Sequence, residues 1–458
     1  MRNAAAIALL LAFYAALSLA PVALAAQQPL ARRPWLAELS SGLAMAGFAV
    51  LLLEFALSGR YRRLSARVGM DLTMRFHQMM ALAALAFLVA HPFLYTDYSQ
   101  RPGGTGVLLT PAATVSGMAA WMLLVALVGF AWLRNHLPWT YEAWRLTHGL
   151  GALAVAGFGL HHALDTGRYA AEPWLRGFWL AGGALAAGAL AWTYFARPFA
   201  LAARRWKVAA VTPEAERLWR VVLEPVRERE FRFAAGQFAW LKLERPYGLV
   251  EHPFSIASAP GQLPRLQFLV KESGDFTRGI GSVAPGTRAY VDGPYGNFTL
   301  AGREGAGIVL IAGGAGIAPI LSLARDLAAT RDARPVTIVY ADRNEGQLAA
   351  RAELEAIAAA PGRTLHLVLG EPLTARSLRA CLPPSGAAGW LHFVCGPPGM
   401  IDAVEQWLAG FGVPLGQIVS ERFVYDTGLT TPRERLTRRV IGAVVAAQLA
   451  AVIAFSLR

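Results

Sequence analysis

Five of the chain's nine histidines lie in stretches that otherwise carry almost no charge: His77, His91, His148, His161 and His162. An ionisable ring at membrane depth is a functional candidate by default, because burying it there is costly. A single such ring would be read as a hydrogen bond to a neighbouring helix, whereas separated rings on two helices ask for a shared ligand. His77 and His91 are 14 residues apart, about 21 Å along a helix at ~1.5 Å per residue and nearly four whole turns, so both rings share a face. His148 stands 13 residues before His161 and 14 before His162. If the two helices run in the same direction, His77 lies level with His148 near one membrane face. His91 then lies level with His161 or His162 near the other. Two stacked sites of two facing imidazoles each are the donor set of bis-histidine haem. Zinc would draw four ligands, usually with thiolates or carboxylates among them, and these faces do not supply them. Arg75 and Arg145 flank the inner pair, where they suit either haem propionates or the interface anchoring of a span.

A second set of candidates follows residue 200. His252-Pro253-Phe254-Ser255 lies in a strand pattern, and its aromatic and hydroxyl suit the face and polar edge of a flavin ring. Lys271 follows the next strand, and Gly274-Asp275-Phe276-Thr277 opens a helix whose N–H groups suit a pyrophosphate. Residues 308–312 read as a buried parallel strand, followed by Gly313-Gly314-Ala315-Gly316 and then by a helix that starts Ile317-Ala318-Pro319. A strand, a glycine loop and a helix in that order bring a dinucleotide phosphate against the backbone, although the spacing here is not the G-x-G-x-x-G form. A second strand ends at Asp342-Arg343, where the adenosine ribose belongs; Arg343 suits a 2′-phosphate and Asp342 a free 2′-hydroxyl. The fourth strand ends in Cys395-Gly396-Pro397-Pro398, which puts Cys395 in the crevice expected for a nicotinamide. Glu421 and Phe423 close the region, and an aromatic there suits the face of a flavin ring, from which it would yield to nicotinamide.

The elements that must hold these residues are legible in the apolar pattern. The 458 residues are 55% hydrophobic and 16% charged, with mean hydropathy +0.39, whereas soluble domains carry about a quarter charged residues. Apolar runs at 4–26, 39–57, 70–94, 107–133, 146–164 and 178–196 each approach the ~20 residues that cross a bilayer core, and 440–457 adds a seventh. Arg60, Arg62, Arg63, Arg67, Arg134, Arg145, Arg197, Arg204, Arg205 and Lys207 fall in one set of loops. The opposite loops hold Arg32, Arg33, Arg101, Arg168 and Arg176. This is the positive-inside asymmetry, and it puts the soluble half in the cytoplasm. The net charge of +13 is therefore read as a topology signal, and nucleic acid is not an expected partner. Two cysteines exclude a disulfide scaffold or a thiolate cluster. Ala23-Leu24-Ala25 also fits the end of a cleavable signal; the adopted reading is a retained first span. Residues 206–300 read as a small barrel, with strands at 206–211, 218–223, 238–243, 252–257, 265–270 and 287–292.

Taken in order, the His252–Ser255, Gly274–Thr277, Gly293-Pro294-Tyr295-Gly296, Gly313–Gly316 and Cys395–Pro398 motifs resemble the ferredoxin–NADP reductase superfamily. The preceding helices, with histidine pairs on the third and fifth, resemble a ferric reductase-like membrane domain. Together they resemble the NADPH oxidase and ferric reductase family in a compact bacterial form, over roughly residues 36–425. The resemblance implies an α-helical membrane bundle (1–200), an FAD-binding β-barrel (201–303) and an α/β Rossmann-like NAD(P)H domain (304–425). A linker and C-terminal span (426–458) would follow. It implies iron ligands at His77, His91, His148 and His161 for two b-type haems, FAD in the barrel, and NADPH or NADH on the last domain. Cys395 and Phe423 would flank hydride transfer, with Phe423 over the flavin. Two departures stand out: the chain runs on for 35 residues past Phe423, and His252 replaces the arginine of soluble relatives.

The expected activity is that of a transmembrane NAD(P)H oxidase of the cell inner membrane, passing electrons through FAD and two haems to oxygen outside and giving superoxide. One alternative is a reductase of external ferric or cupric chelates, for which Asp97, Asp165 and Glu172 are the acidic residues at hand. The other is an electron-transfer component feeding a periplasmic partner protein.

Overall fold

The computed structural model of the chain describes residues 2–31, 33–58, 62, 68–94, 110–166, 168–227, 230–383, 388–422 and 431–458. They divide into two compact units. One comprises Met1–Arg60, Leu72–Arg197 and Arg438–Arg458; the other comprises Tyr61–Asp71 and Pro198–Thr437.

The first unit is helical: α1 (Arg2–Ala26), α2 (Trp35–Ser58), α3 (Met70–Ala90), α4 (Pro111–Leu133), α5 (Tyr141–Asp165), α6 (Pro173–Ala191) and a C-terminal helix (Pro432–Leu457). All of these except α5 are long and apolar enough to cross a membrane. α5 is equally long, but its glycines, Glu142, Arg145 and three histidines dilute it. Trp132, Trp174, Phe195 and Phe199 stand exposed along the helices; bare aromatic surface on this scale belongs against lipid. Pro111 and Pro173 each open a helix at a position where no N–H bond is lost. The Thr110 and Thr140 hydroxyls accept from the N–H groups of Ala113 and Ala143, and the Glu172 carboxylate accepts from Trp174 and Leu175. α2 is the most enclosed of the apolar helices. A Cβ at Gly159 would come within 2.6 Å of Phe48, and one at Gly182 within 2.8 Å of Leu52, so α5 and α6 lie tight against α2 through missing side chains.

α6 leads through a π-turn into α7 (Arg197–Ala202), and the second unit begins there. β1 (Arg205–Ala215), β2 (Leu218–Pro225), β3 (Phe238–Leu243), β4 (His252–Ser255), β5 (Leu266–Lys271) and β6 (Arg288–Tyr295) form one antiparallel sheet in the order β4-β3-β6-β1-β2-β5. A bridge between Ile256 and Phe268 joins the end of β4 to β5 and curls the sheet into a barrel. Each of the six expected strands is present. Val221, Leu241, Ile256 and Phe268 fill the interior.

A parallel sheet follows: β7 (Ile308–Gly313), β8 (Val336–Asp342), β9 (Arg363–Leu369), β10 (Leu391–Cys395) and β11 (Ile418–Ser420), in the order β11-β10-β7-β8-β9. α9 (Ile317–Ala329) and α10 (Arg351–Ala358) pack with Leu310 and Ile338. α11 (Ala375–Cys381) and α12 (Pro398–Gly410) pack with Val309 and Ile311. β7 is thus buried on both faces, which is why it reads as an unbroken apolar run. The strand order reverses between β7 and β10, the position where doubly wound sheets open a ligand crevice.

Candidate functional site

α2 holds both histidines of the α3 segment. His77 Nδ1 lies 2.7 Å from Glu54 Oε2, and the Tyr14 hydroxyl on α1 donates to Glu54 Oε1 at 2.6 Å. His91, in the turn after α3, has Nδ1 2.8 Å from Ser40 Oγ and 3.1 Å from the Ser40 carbonyl. Ser40 and Glu54 are themselves 14 residues apart, so α2 repeats the spacing of the histidines it serves.

On α5, His148 lies within Coulombic range of His77 and stacks on Trp144 with ring centroids 5.3 Å apart. Its Nδ1 is buried with no hydrogen-bond partner among the described residues. His162 faces His91, with ring centroids 6.4 Å apart and planes at 67°. Its Nδ1 is 2.8 Å from the Ala113 carbonyl on α4. Gly117 makes that approach possible, because a Cβ there would sit 2.6 Å from the same nitrogen. His161 is exposed and turns to Ser116 Oγ at 3.0 Å. The ring across from His91 is that of His162, the 14-residue partner, rather than His161, the partner implied by the resemblance.

Two imidazoles that bind one metal through Nε2 at roughly 2 Å each hold their ring centres roughly 6 Å apart. The His91–His162 separation of 6.4 Å fits that geometry. With Nδ1 engaged on His77, His91 and His162, Nε2 is the nitrogen left to face a metal. No group of three or more His, Cys, Asp or Glu among the described residues forms a metal site of another kind. The donors therefore suit haem. Arg145 lies over the Tyr194 ring at 6.0 Å, and Arg75 is half-buried on α3.

In the barrel, β4 pairs with β3 and carries His252, Pro253, Phe254 and the buried Ser255. The His252 and Phe276 rings are 4.5 Å apart, and Phe254 and Phe276 lie nearly parallel at 6.3 Å. These rings gather the two motifs into one aromatic cluster. α8 (Asp275–Arg278) is a single turn, and the Thr277 hydroxyl accepts from the N–H groups of Ser273 and Gly274 at 2.8 and 2.9 Å. The Gly274 N–H, expected to open toward a pyrophosphate, is engaged inside the loop together with that of Ser273.

The glycine loop after β7 has a second task. A Cβ on Gly313 would lie 2.4 Å from Met400 Sδ, and one on Gly316 would lie 2.2 Å from the Cys395 carbonyl. These glycines let the ends of β7 and β10 touch, with Ala312 and Cys395 in register. Gly314, at φ +52°, faces Lys271, whose Nζ is 3.7 Å from the would-be Cβ. Lys271 thereby brings a cation to the loop, and Pro319 is buried in the first turn of α9. Gly396 is half-buried and Pro397 caps α12. Arg343 is exposed at the end of β8, where its N–H donates to Asp342 Oδ1 at 2.9 Å.

Cys395 is buried; burial pushes its thiol up, and the neighbouring Glu421 carboxyl adds to that. Burial, then Asp71, raises the Glu421 carboxyl well above the usual carboxylate range. Its Oε2 is buried without a hydrogen bond among the described residues. Behind it, Arg422 pairs with Asp402 and, at 2.8 Å, with Glu405, while the Ser420 hydroxyl donates to Glu405 at 2.5 Å. The sequence reading missed this anchor; two acids three residues apart on the apolar α12 were its one signal. Phe423 lies outside the described residues.

A family model for the ferric reductase like transmembrane component matches residues 43–159. An FAD-binding domain model matches 205–299, and an oxidoreductase NAD-binding domain model matches 310–406. A ferric reductase-like transmembrane domain joined to FAD- and NAD-binding domains is the architecture of the NADPH oxidase and ferric reductase family, and this chain has it. NADH-cytochrome b5 reductase 1 of Laccaria bicolor is 29% identical over 172 residues, 34% of this chain and 56% of that protein. The reductase component of propane 2-monooxygenase of Rhodococcus jostii is 30% identical over 186 residues, 34% of this chain and 47% of that protein. The chain spans about half the length of the curated relatives it matches. Among solved structures, an Amycolatopsis cytochrome P450 reductase aligns with TM-score 0.44 at 25% identity, over 48% of this chain and 69% of that one.

Proposed function

We propose that the chain is a transmembrane NAD(P)H oxidase of the inner membrane, with its flavin and nucleotide domains in the cytoplasm. The observation that carries this reading is the facing His91–His162 pair, 6.4 Å between ring centres, on a chain that also carries FAD- and NAD-binding domains. His77 and His148 would hold the inner iron of two b-type haems, and His91 with His162 the outer one. Phe254, Ser255 and His252 would receive the flavin, and Lys271 with Gly314 the dinucleotide phosphates. Cys395 would lie beside the nicotinamide, and exposed Arg343 favours NADPH over NADH through a 2′-phosphate. When bound, the flavin takes a hydride from the nicotinamide and the haems relay single electrons through the bilayer.

With His77 and His148, and His91 and His162, each holding an iron from both sides, no open position would remain, and an acceptor would be met at the haem edge. Oxygen, giving superoxide, suits that best. Two of the acids that would draw a ferric or cupric chelate already have structural partners: Asp165 accepts from Thr110, and Glu172 caps α6. Transfer to a partner protein is the reading suggested by the name of the propane monooxygenase reductase component.

A pyridine haemochrome assay on flavin-replete protein should give two haems per chain. His91→Leu and His162→Leu should each leave one, and His161→Leu should leave two. One haem or none in the unaltered protein would overturn the reading.

A further inference from the structure

The two histidines on the α3 segment differ in what stands behind them. His91 has the hydroxyl and carbonyl of Ser40, both neutral. His77 has the Glu54 carboxyl group, 5% exposed, with Oε2 2.7 Å from the ring's Nδ1 and Oε1 accepting from the Tyr14 hydroxyl. A ring N–H bonded to an anion makes the opposite nitrogen a stronger donor than one bonded to a neutral oxygen. A stronger axial donor favours oxidised iron, and hydrogen bonding around the ligand is one of the protein's levers on haem potential.

The rest of the bundle protects this contact. Tyr14, Val50, Met80, Ala84 and Ile441 form one buried cluster around it, drawn from α1, α2, α3 and the C-terminal helix. α1 and the C-terminal helix lie outside the matched membrane domain, and Gln448 of the latter donates to Ser18 of the former at 2.7 Å. Enclosure matters because water would screen the carboxylate's influence on the ring.

We propose that Glu54 is a positioning residue that holds the inner haem at a lower reduction potential than the outer one, so that electrons run downhill along the pair. The proposal rests on the bis-histidine reading above. Each step moves one electron, supplied by NAD(P)H through the flavin, with the inner iron oxidised and the outer iron reduced.

Spectroelectrochemical titration of the full chain tests it. Two midpoints are expected, the lower one belonging to the haem that survives His91→Leu. Glu54→Gln should raise that midpoint and leave the other in place. Tyr14→Phe, which removes the donor that competes for the carboxylate, should lower it, and decides the matter where Glu54→Gln fails to retain the inner haem. An unmoved inner midpoint in a variant that keeps both haems, or the lower midpoint residing on the outer haem, overturns the role of Glu54 while leaving the bis-histidine reading intact. Absence of haem from the unaltered protein overturns both.

Discussion

His392 on β10 is completely buried, and burial pushes its pKa from the usual 6.5 down to about 4. It is neutral in the fold, so the unfolded chain binds the proton more readily. The stability it permits is complete above pH 6.5 and is lost as pH falls toward 4. The loss amounts to at most roughly 3 kcal/mol at ~1.4 kcal/mol per pKa unit. Glu421 runs the other way: its raised carboxyl favours the fold at low pH and costs stability as pH rises above the usual carboxylate range. Thermal unfolding of His392→Gln should therefore show a shallower decline than the unaltered chain between pH 6.5 and 4. Parallel curves for the two would remove His392 as the cause. His392 was hidden in the sequence because an apolar strand with one imidazole looks like any other. The membrane histidines were legible because their spacing repeats on two helices, and the choice between His161 and His162 was visible in part, since 14 residues return closer to one face than 13.

At the scale of elements, α4 decides which neighbour of α5 faces inward. The glycine at 117 leaves room for His162 to reach the Ala113 carbonyl. Gly117→Val should displace that ring and cost the outer haem while the inner one stays, read as a halved haem content. Two haems with an unmoved outer midpoint would remove His162 from the ligand set. The helices and all six barrel strands were legible because their periods of apolar residues are strong. The service given by α2 was not. Nothing in the sequence sets Ser40 apart from any other helical serine, and Glu54 is simply the one charge in the apolar run 39–57. Only the antiparallel packing of α2 on the α3 segment brings both side chains to histidine nitrogens.

For the whole molecule, the arginine asymmetry and the two histidine levels predict that electrons enter and leave on opposite sides of the bilayer. In sealed inside-out vesicles, NADPH added outside should reduce cytochrome c trapped in the lumen, and superoxide dismutase in the lumen should suppress it. Reduction that persists without oxygen would point to a chelate or protein acceptor. Reduction confined to the NADPH side would refute a transmembrane path.

The class of the protein is legible in the order of its amino acids alone. Apolar runs of bilayer length, paired histidines one haem-stack apart, and a flavin barrel followed by a strand, a glycine loop and a helix are local patterns, each imposed by periodicity or by a turn. Packing settled everything that depends on which surfaces meet. It turned His162 rather than His161 toward His91, gave Glu54 to His77, and placed two loop glycines against the end of β10. It also buried the Arg422, Asp402 and Glu405 anchor behind Glu421. A hydrogen bond or a close approach between residues on different elements is set by packing, which no spacing along one helix or strand encodes.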